Sequence, residues 1–263
     1  MARSGWSAAN FLRGSSGAVL TGVPLSIACW AKTSITATAQ CMVTLCNSAS
    51  SGDINLFKLS VLGTDLVRLT TADGSGTGTA SATTPIVANT WFHACGVSSA
   101  INSRAAYIDG GSKTTNTTSR TPSGINRTAI GLRDNASGDQ PFAPSGTGLI
   151  AEVGIWNIAL SDAEVAALAT GISPLLMHPE ALVAYWPMLG AYSPENNLRS
   201  NSATMAVQGS LSQAAHPRIY LPHRRATWKL PAPVAAGGQP IAKRFGGVPF
   251  MGTRSAGLGG ARW

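Results

Sequence analysis

Glu152 is the one acid in the apolar run Gly148–Trp156, and it raises the first chemical question about this chain. Hydrolysing a glycoside takes two carboxyl groups, one to attack or activate water and one to protonate the leaving oxygen. Here Ala151 and Gly154 flank the site, and no other predicted strand carries acids at i and i+2. Without a second carboxyl the acid–base pair is missing, so the chain is expected not to be an enzyme and to have no catalytic residue. His93 lies in a strand-like run with no serine, cysteine or acid as an obvious partner. It therefore reads as a histidine bonded across a sheet and not as a general base. His178, His216 and His223 each adjoin a proline and form no ligand cluster, so no metal site is expected from them.

The remaining candidates are weaker. Cys29, Cys41, Cys46 and Cys95 contain no C-x-x-C pair, and they read as buried reduced thiols, with a Cys29–Cys95 bridge the one alternative. Asp134, Asn135, Ser137 and Asp139 put oxygen donors in one loop, where calcium is the single cofactor worth considering; the same residue types also build ordinary turns. Otherwise no cofactor is expected. Gly74-Ser75-Gly76-Thr77-Gly78 resembles a phosphate cradle in composition, but no apolar helix follows it, so Asp73–Thr79 reads as a plain loop.

These residues need elements to hold them. Leu25–Lys32 alternates, with Leu25, Ile27 and Cys29 on one face and Ser26, Ala28 and Trp30 on the other. Further strands are predicted at 42–45, 56–61, 66–71, 91–97, 104–109, 130–132, 149–156 and 182–188, with Asp109-Gly110 as a hairpin turn. One helix is visible: Ser161-Asp162-Ala163-Glu164 is a capping box, Val165 and Leu168 face the core, and Gly171 ends it. Short strands, frequent turns and one helix predict an all-β fold, an antiparallel two-sheet jelly-roll sandwich. Trp30, Trp91, Trp156 and Trp186 have apolar neighbours and read mostly as core, which leaves Trp6 as the freer candidate for a sugar platform.

Composition divides the chain. Of 263 residues 44% are hydrophobic and 11% charged, with a formal net charge of +8. Residues 1–217 balance 11 cations against 11 acids, whereas 218–263 hold 8 cations and no acid, with 8 Gly and 5 Pro. The prediction is a neutral sandwich over 1–217 and an extended basic arm over 218–263. The arm interleaves Tyr220, Trp228, Phe245, Phe250 and Trp263 with Arg224, Arg225, Lys243, Arg244 and Arg262. Five aromatics in a short, cationic, Gly/Pro-rich stretch suit anchoring on neighbouring protein surfaces. Single-stranded nucleic acid is the rival partner, disfavoured because Leu221, Leu230, Val234, Ile241 and Val248 need burial. No run approaches the roughly 18 apolar residues of a membrane-spanning helix, and no export signal is read after Met1, so no membrane partner is expected.

The order Leu25–Lys32, Trp91–Cys95, Tyr107–Gly110 and Gly148–Val165 resembles the laminin-G-like, concanavalin A-like lectin/glucanase domains over about 25–170. Two features depart from that pattern. Ala151 stands where an acid often precedes the Glu of the closing strand, and Leu182–Met188 resembles a strand that usually opens the domain, as in a circular permutation. The permuted order, followed by His216–Ile219 and Arg244–Phe250, resembles virion structural proteins of tailed bacteriophages. That resemblance implies a non-enzymatic capsid decoration or cement protein, made and assembled in the host cytoplasm. Its partners would be the major capsid protein or other virion proteins, with self-association as a trimer. The alternatives are a tail or fibre component, or an adhesin that binds host glycans.

Overall fold

The computed structural model describes residues 2–145, 147–190, 192–199 and 203–220. In chain order the first strands are β1 (Ala2–Ser4), β2 (Phe11–Gly14), β3 (Leu25–Thr33), β4 (Gln40–Cys46) and β5 (Leu56–Val61). Next come β6 (Leu66–Asp73), β7 (Gly76–Pro85), β8 (Phe92–Ala100), β9 (Ser103–Ile108) and β10 (Gly111–Asn116). Then follow β11 (Arg127–Ile130), β12 (Gly148–Trp156), α1 (Asp162–Ala169), a 3-10 turn (Pro174–Leu176), β13 (Leu182–Trp186), β14 (Met205–Gln208) and β15 (Ser212–Ala214).

The strands form two antiparallel sheets. The first runs β10-β9-β8-β3-β12-β1-β15, with β13 also paired to β12; the second runs β14-β2-β11-β4-β5-β6-β7. The period of two decides what lies between them. Ile27, Cys29 and Ala31 of β3, Ile150 and Val153 of β12, and Phe57, Leu59 and Val61 of β5 all enter one inter-sheet core with Trp186. Burying each Leu, Ile, Val or Phe contributes about 1.5–3 kcal/mol, and a one-residue slip would turn every one of them outward. The jelly-roll expectation holds.

A second apolar layer lies on the outer face of the first sheet. Val165 and Leu168 of α1 pack with Ala28, Cys95, Tyr107 and Trp156. The helix starts as the capping box requires: Ser161 Oγ accepts from the Glu164 N–H, and the Glu164 carboxylate accepts from the Ser161 N–H at 2.7 Å. It crosses the Asp109-Gly110 turn so closely that a Cβ on Gly110, whose φ is +76°, would lie 2.7 Å from the Ala166 Cα.

Several expectations change. Trp6 is not a free platform; it is 3% exposed and belongs to the inter-sheet core. A Cys29–Cys95 bridge is excluded by register: Ala28 pairs with Cys95, so the two sulfurs sit on opposite faces, and all four cysteines are buried and free. The expected loop at 73–79 is a tight hairpin, because Thr77, Thr79 and Ser81 extend into β7 against β6. Among the described residues no helix is long and apolar enough to cross a membrane.

Candidate functional site

Helix α1 ends at Ala169, and beyond it Ile172 and Pro174 come beside Trp30 and His93 on the outer face of the first sheet. Register places the row on this face. Trp30 pairs with His93 on one side and Ala151 on the other, and Lys32 pairs with Leu149. Ser4 opposes both Leu149 and Ser212, and Ala2 opposes Ala214. Ala2 and Ala151 are fully buried because Trp30 and Trp91, each half-buried, pack against them. Small residues on the central strands thus seat two partly exposed indoles on the outer sheet face, an arrangement that offers apolar area with little side-chain entropy to lose. His93 lies edge-on to Trp30, ring centroids 5.5 Å apart at 61°. Burial pulls its pKa down to about 3, so it is a neutral imidazole whose Nδ1 has no protein partner. The sequence predicts a His93 bonded across the sheet; it does lie in a sheet strand, but its ring is buried against Trp30 with Nδ1 unpartnered.

Beside this face lies a cleft of about 360 Å³ whose floor is Glu152, Tyr185 and His216 and whose walls include Pro187, Leu198 and Ile219. Glu152 stands where β12 changes partner, from β1 at Ile150 to β13 at Val153. The change is made by a bulge between Ala151 and Gly154, and Glu152 has a φ of +56°. That twist aims the carboxylate into the cleft. Tyr185 donates its hydroxyl to Glu152 Oε2 at 2.6 Å, and His216 Nε2 lies 3.1 Å from Oε1. Burial, then the Glu152 charge, push the Tyr185 phenol far up. Burial pulls His216 down, but its hydrogen bonds to Glu152 and to the Pro217 carbonyl, with the Glu152 charge, outweigh that and raise it overall. Both carboxylate oxygens are thus occupied by a tyrosine and a histidine, and no second carboxyl shares the site among these contacts.

The loop considered for calcium is wired differently. Asp134 is held by Arg13 through two bonds of 2.6 and 2.7 Å, with Arg127 at 3.4 Å. Arg133 grips Asp139 and also reaches Asp53 at 2.5 Å, and the Asn135 amide donates to the Gly52 carbonyl at 2.7 Å. Guanidinium groups stand where a cation would need free carboxylates, so these residues do not fit calcium. Among the described residues no group of three or more His, Cys, Asp or Glu could hold a metal ion.

Of the residues predicted for the arm, Tyr220 is described. Its ring is 54% exposed, its N–H donates to the Gly171 carbonyl at 2.7 Å, and its carbonyl accepts from the Ser173 N–H at 3.2 Å. Arg224, Arg225, Trp228, Lys243, Arg244, Phe245, Phe250, Arg262 and Trp263 lie outside the described residues. Trp30 and Trp91, read mostly as core because their neighbours are apolar, are only half-buried on the outer face of the first sheet. Ala151, opposite Trp30, is the small residue that makes room for the indole.

A family profile described as concanavalin A-like lectin/glucanases superfamily (Laminin_G_3) matches residues 9–166. No curated protein matches the chain. Among solved structures it is similar to a putative carbohydrate binding protein from Bacteroides ovatus, with 14% identity and a TM-score of 0.57 over 84% of this chain and 62% of that one. The chain thus spans less than two thirds of that protein. It is also similar to a heptameric SAP-like pentraxin from Limulus polyphemus, with 14% identity and a TM-score of 0.53 over 84% of this chain and 97% of that one. At these identities the likeness is one of fold.

Proposed function

We propose, for a chain that belongs to the concanavalin A-like lectin/glucanases superfamily, a non-catalytic carbohydrate-binding role centred on Trp30 and Trp91. The observation that carries this reading is the pair of half-buried indoles packed side by side with Ala2, Leu149 and Ala151 on the outer face of the first sheet. Sugar rings present C–H faces that stack on indole, and Ser4, Ser212 and Lys32 supply polar groups at the rim. The non-catalytic part rests on Glu152, whose two oxygens are already taken by Tyr185 and His216. A glycan array with the purified full chain, followed by titration calorimetry on the best ligand, tests the reading. Trp30→Ala and Trp91→Ala should each weaken binding by about 30-fold or more, the effect of losing a Trp anchor worth about 2 kcal/mol. Binding unchanged in both variants, or no glycan bound at all, overturns it.

A second reading is supported by the segregation of 8 cations and no acid into residues 218–263. It makes the sandwich a tailed-phage virion component, a capsid decoration protein or a tail or fibre part, fastened to neighbouring virion proteins by that stretch. Because Tyr220 is bonded to Gly171 and Ser173, a truncation that tests this reading begins after Tyr220. Chains lacking 221–263 should remain folded by circular dichroism and fail to join particles; equal incorporation refutes the fastening role.

A further inference from the structure

His216 has a hydrogen-bonding environment that only one of its protonation states satisfies. Its Nδ1 lies 2.8 Å from the Pro217 carbonyl oxygen. Its Nε2 lies 3.1 Å from Glu152 Oε1 and 3.3 Å from the Pro187 carbonyl oxygen. The two carbonyls are acceptors that carry no hydrogen, the carboxylate form of Glu152 presents a third, and the other oxygen of Glu152 is filled by the Tyr185 hydroxyl. A neutral imidazole has one N–H and one lone pair, so either tautomer would set a lone pair against an oxygen. The imidazolium, with two N–H donors, fits both sides.

The ring also sits at a mechanically telling place. The segment 212–220 is otherwise tied to the sandwich by two short sets of backbone bonds, by Ala214 packed on Ala2 and Ala151, and by the buried Pro217. At one end β15 pairs with β1 over three residues, with Ser212 and Gln213 exposed. At the other end Tyr220 bonds to Gly171 and Ser173. His216 joins the middle to the buried bulge of β12, whose Glu152 is 4% exposed. We propose that His216 is a proton-operated latch, which as the imidazolium pins residues 212–220 across the first sheet and on losing its proton releases them. Seven of the eight cations of the basic C-terminal stretch follow Tyr220 in sequence, so the latch stands at the start of the segment that carries them.

The groups that face the latch decide its sense. Glu152 comes from β12 and Tyr185, kept as the neutral phenol by burial and by Glu152, from β13. His93 of β8 lines a small cavity on the other side of Glu152 and is neutral through burial. Arg218 on the same segment is exposed. A histidine raised in the folded state adds stability that is complete below its ordinary value of about 6.5 and is lost as pH climbs through the raised value. The latch is therefore closed in mild acid and opens towards alkaline pH.

Amide hydrogen exchange on the full chain, corrected for intrinsic rates, reads this directly. Protection of the Tyr220 and Ser173 amides should fall by about tenfold or more between pH about 6 and about 9, while β3 amides keep theirs. In His216→Gln the protection of both amides should be low and independent of pH. His178→Gln should retain the wild-type fall, since His178 bonds to Glu164 and Glu180 instead. Nitrogen-15 spectra of the ring should show both His216 nitrogens protonated at neutral pH. Equal Tyr220 protection at the two pH values, a wild-type pH response in His216→Gln, or a His216 pKa below 6.5 overturns the latch.

Discussion

Glu195→Ala is expected to lower the free energy of unfolding by about 3–5 kcal/mol in a denaturant titration, because it strands a buried charge. Arg3 and Glu195 have side chains only 4% and 2% exposed. The guanidinium donates to Glu195 Oε2 at 3.0 and 2.8 Å and also to the Tyr192 carbonyl. The second oxygen, Oε1, accepts the Leu189 N–H at 2.9 Å. The one carboxylate therefore ties β1, the turn after β13 and the segment before β14 together. Removing it leaves a guanidinium with no counter-ion in a place water does not reach, whereas Arg3→Met combined with Glu195→Leu should recover much of the loss. A loss below about 1 kcal/mol for the single variant would mean that the pair is solvated and not buried.

Gly131→Ala should cost about 3 kcal/mol or more, for two separate reasons. The φ of Gly131 is +84°, where an L side chain is strained by about 1–2 kcal/mol. A Cβ there would also stand 2.1 Å from Trp6 Cε3 and 2.5 Å from Cζ3. The indole cannot retreat, because it is 3% exposed and its Nε1–H donates to the Arg3 carbonyl at 3.1 Å. The backbone cannot move freely either: the Gly131 N–H bonds to Met42, and its carbonyl accepts from Phe142. Overpacking of this kind adds about 1–3 kcal/mol. Trp6→Leu in the same chain should remove the steric part, so the double variant should be more stable than the sum of the two single losses predicts, and strict additivity would refute the contact.

Much of the fold was legible because its physics is local. The alternation of Leu25, Ile27 and Cys29 requires no knowledge of neighbours, and the strand lies where that pattern puts it. The Ser161 and Glu164 capping box acts within one turn, and both of its bonds form. Asp109-Gly110 turns the chain because glycine tolerates a φ of +76°. Trp156 and Trp186, read as core, are both fully buried. Strands β7 and β10 were not legible, since Gly76–Pro85 and Gly111–Asn116 are built mainly from small polar residues with loop-like composition. Their pairing comes from β6 and β9, not from their own propensity.

The candidate site divides in the same way. The chain's residues by themselves dictate two-faced strands, one capped helix, a single carboxyl in the closing strand and a charge-segregated C-terminal stretch. Each of these follows from side-chain type and spacing over a few residues. Only tertiary packing decides that α1 shelters Ala28, Cys95 and Trp156 while Trp30 and Trp91 pack into a separate cluster with Ala2 and Ala151. Packing likewise brings His216 and Tyr185 to Glu152 and sends Cys29 and Cys95 to opposite faces of one sheet. Those outcomes depend on which strands become neighbours and where a covering layer ends. A periodic pattern reports that a residue has a face, and the rest of the molecule settles what that face meets.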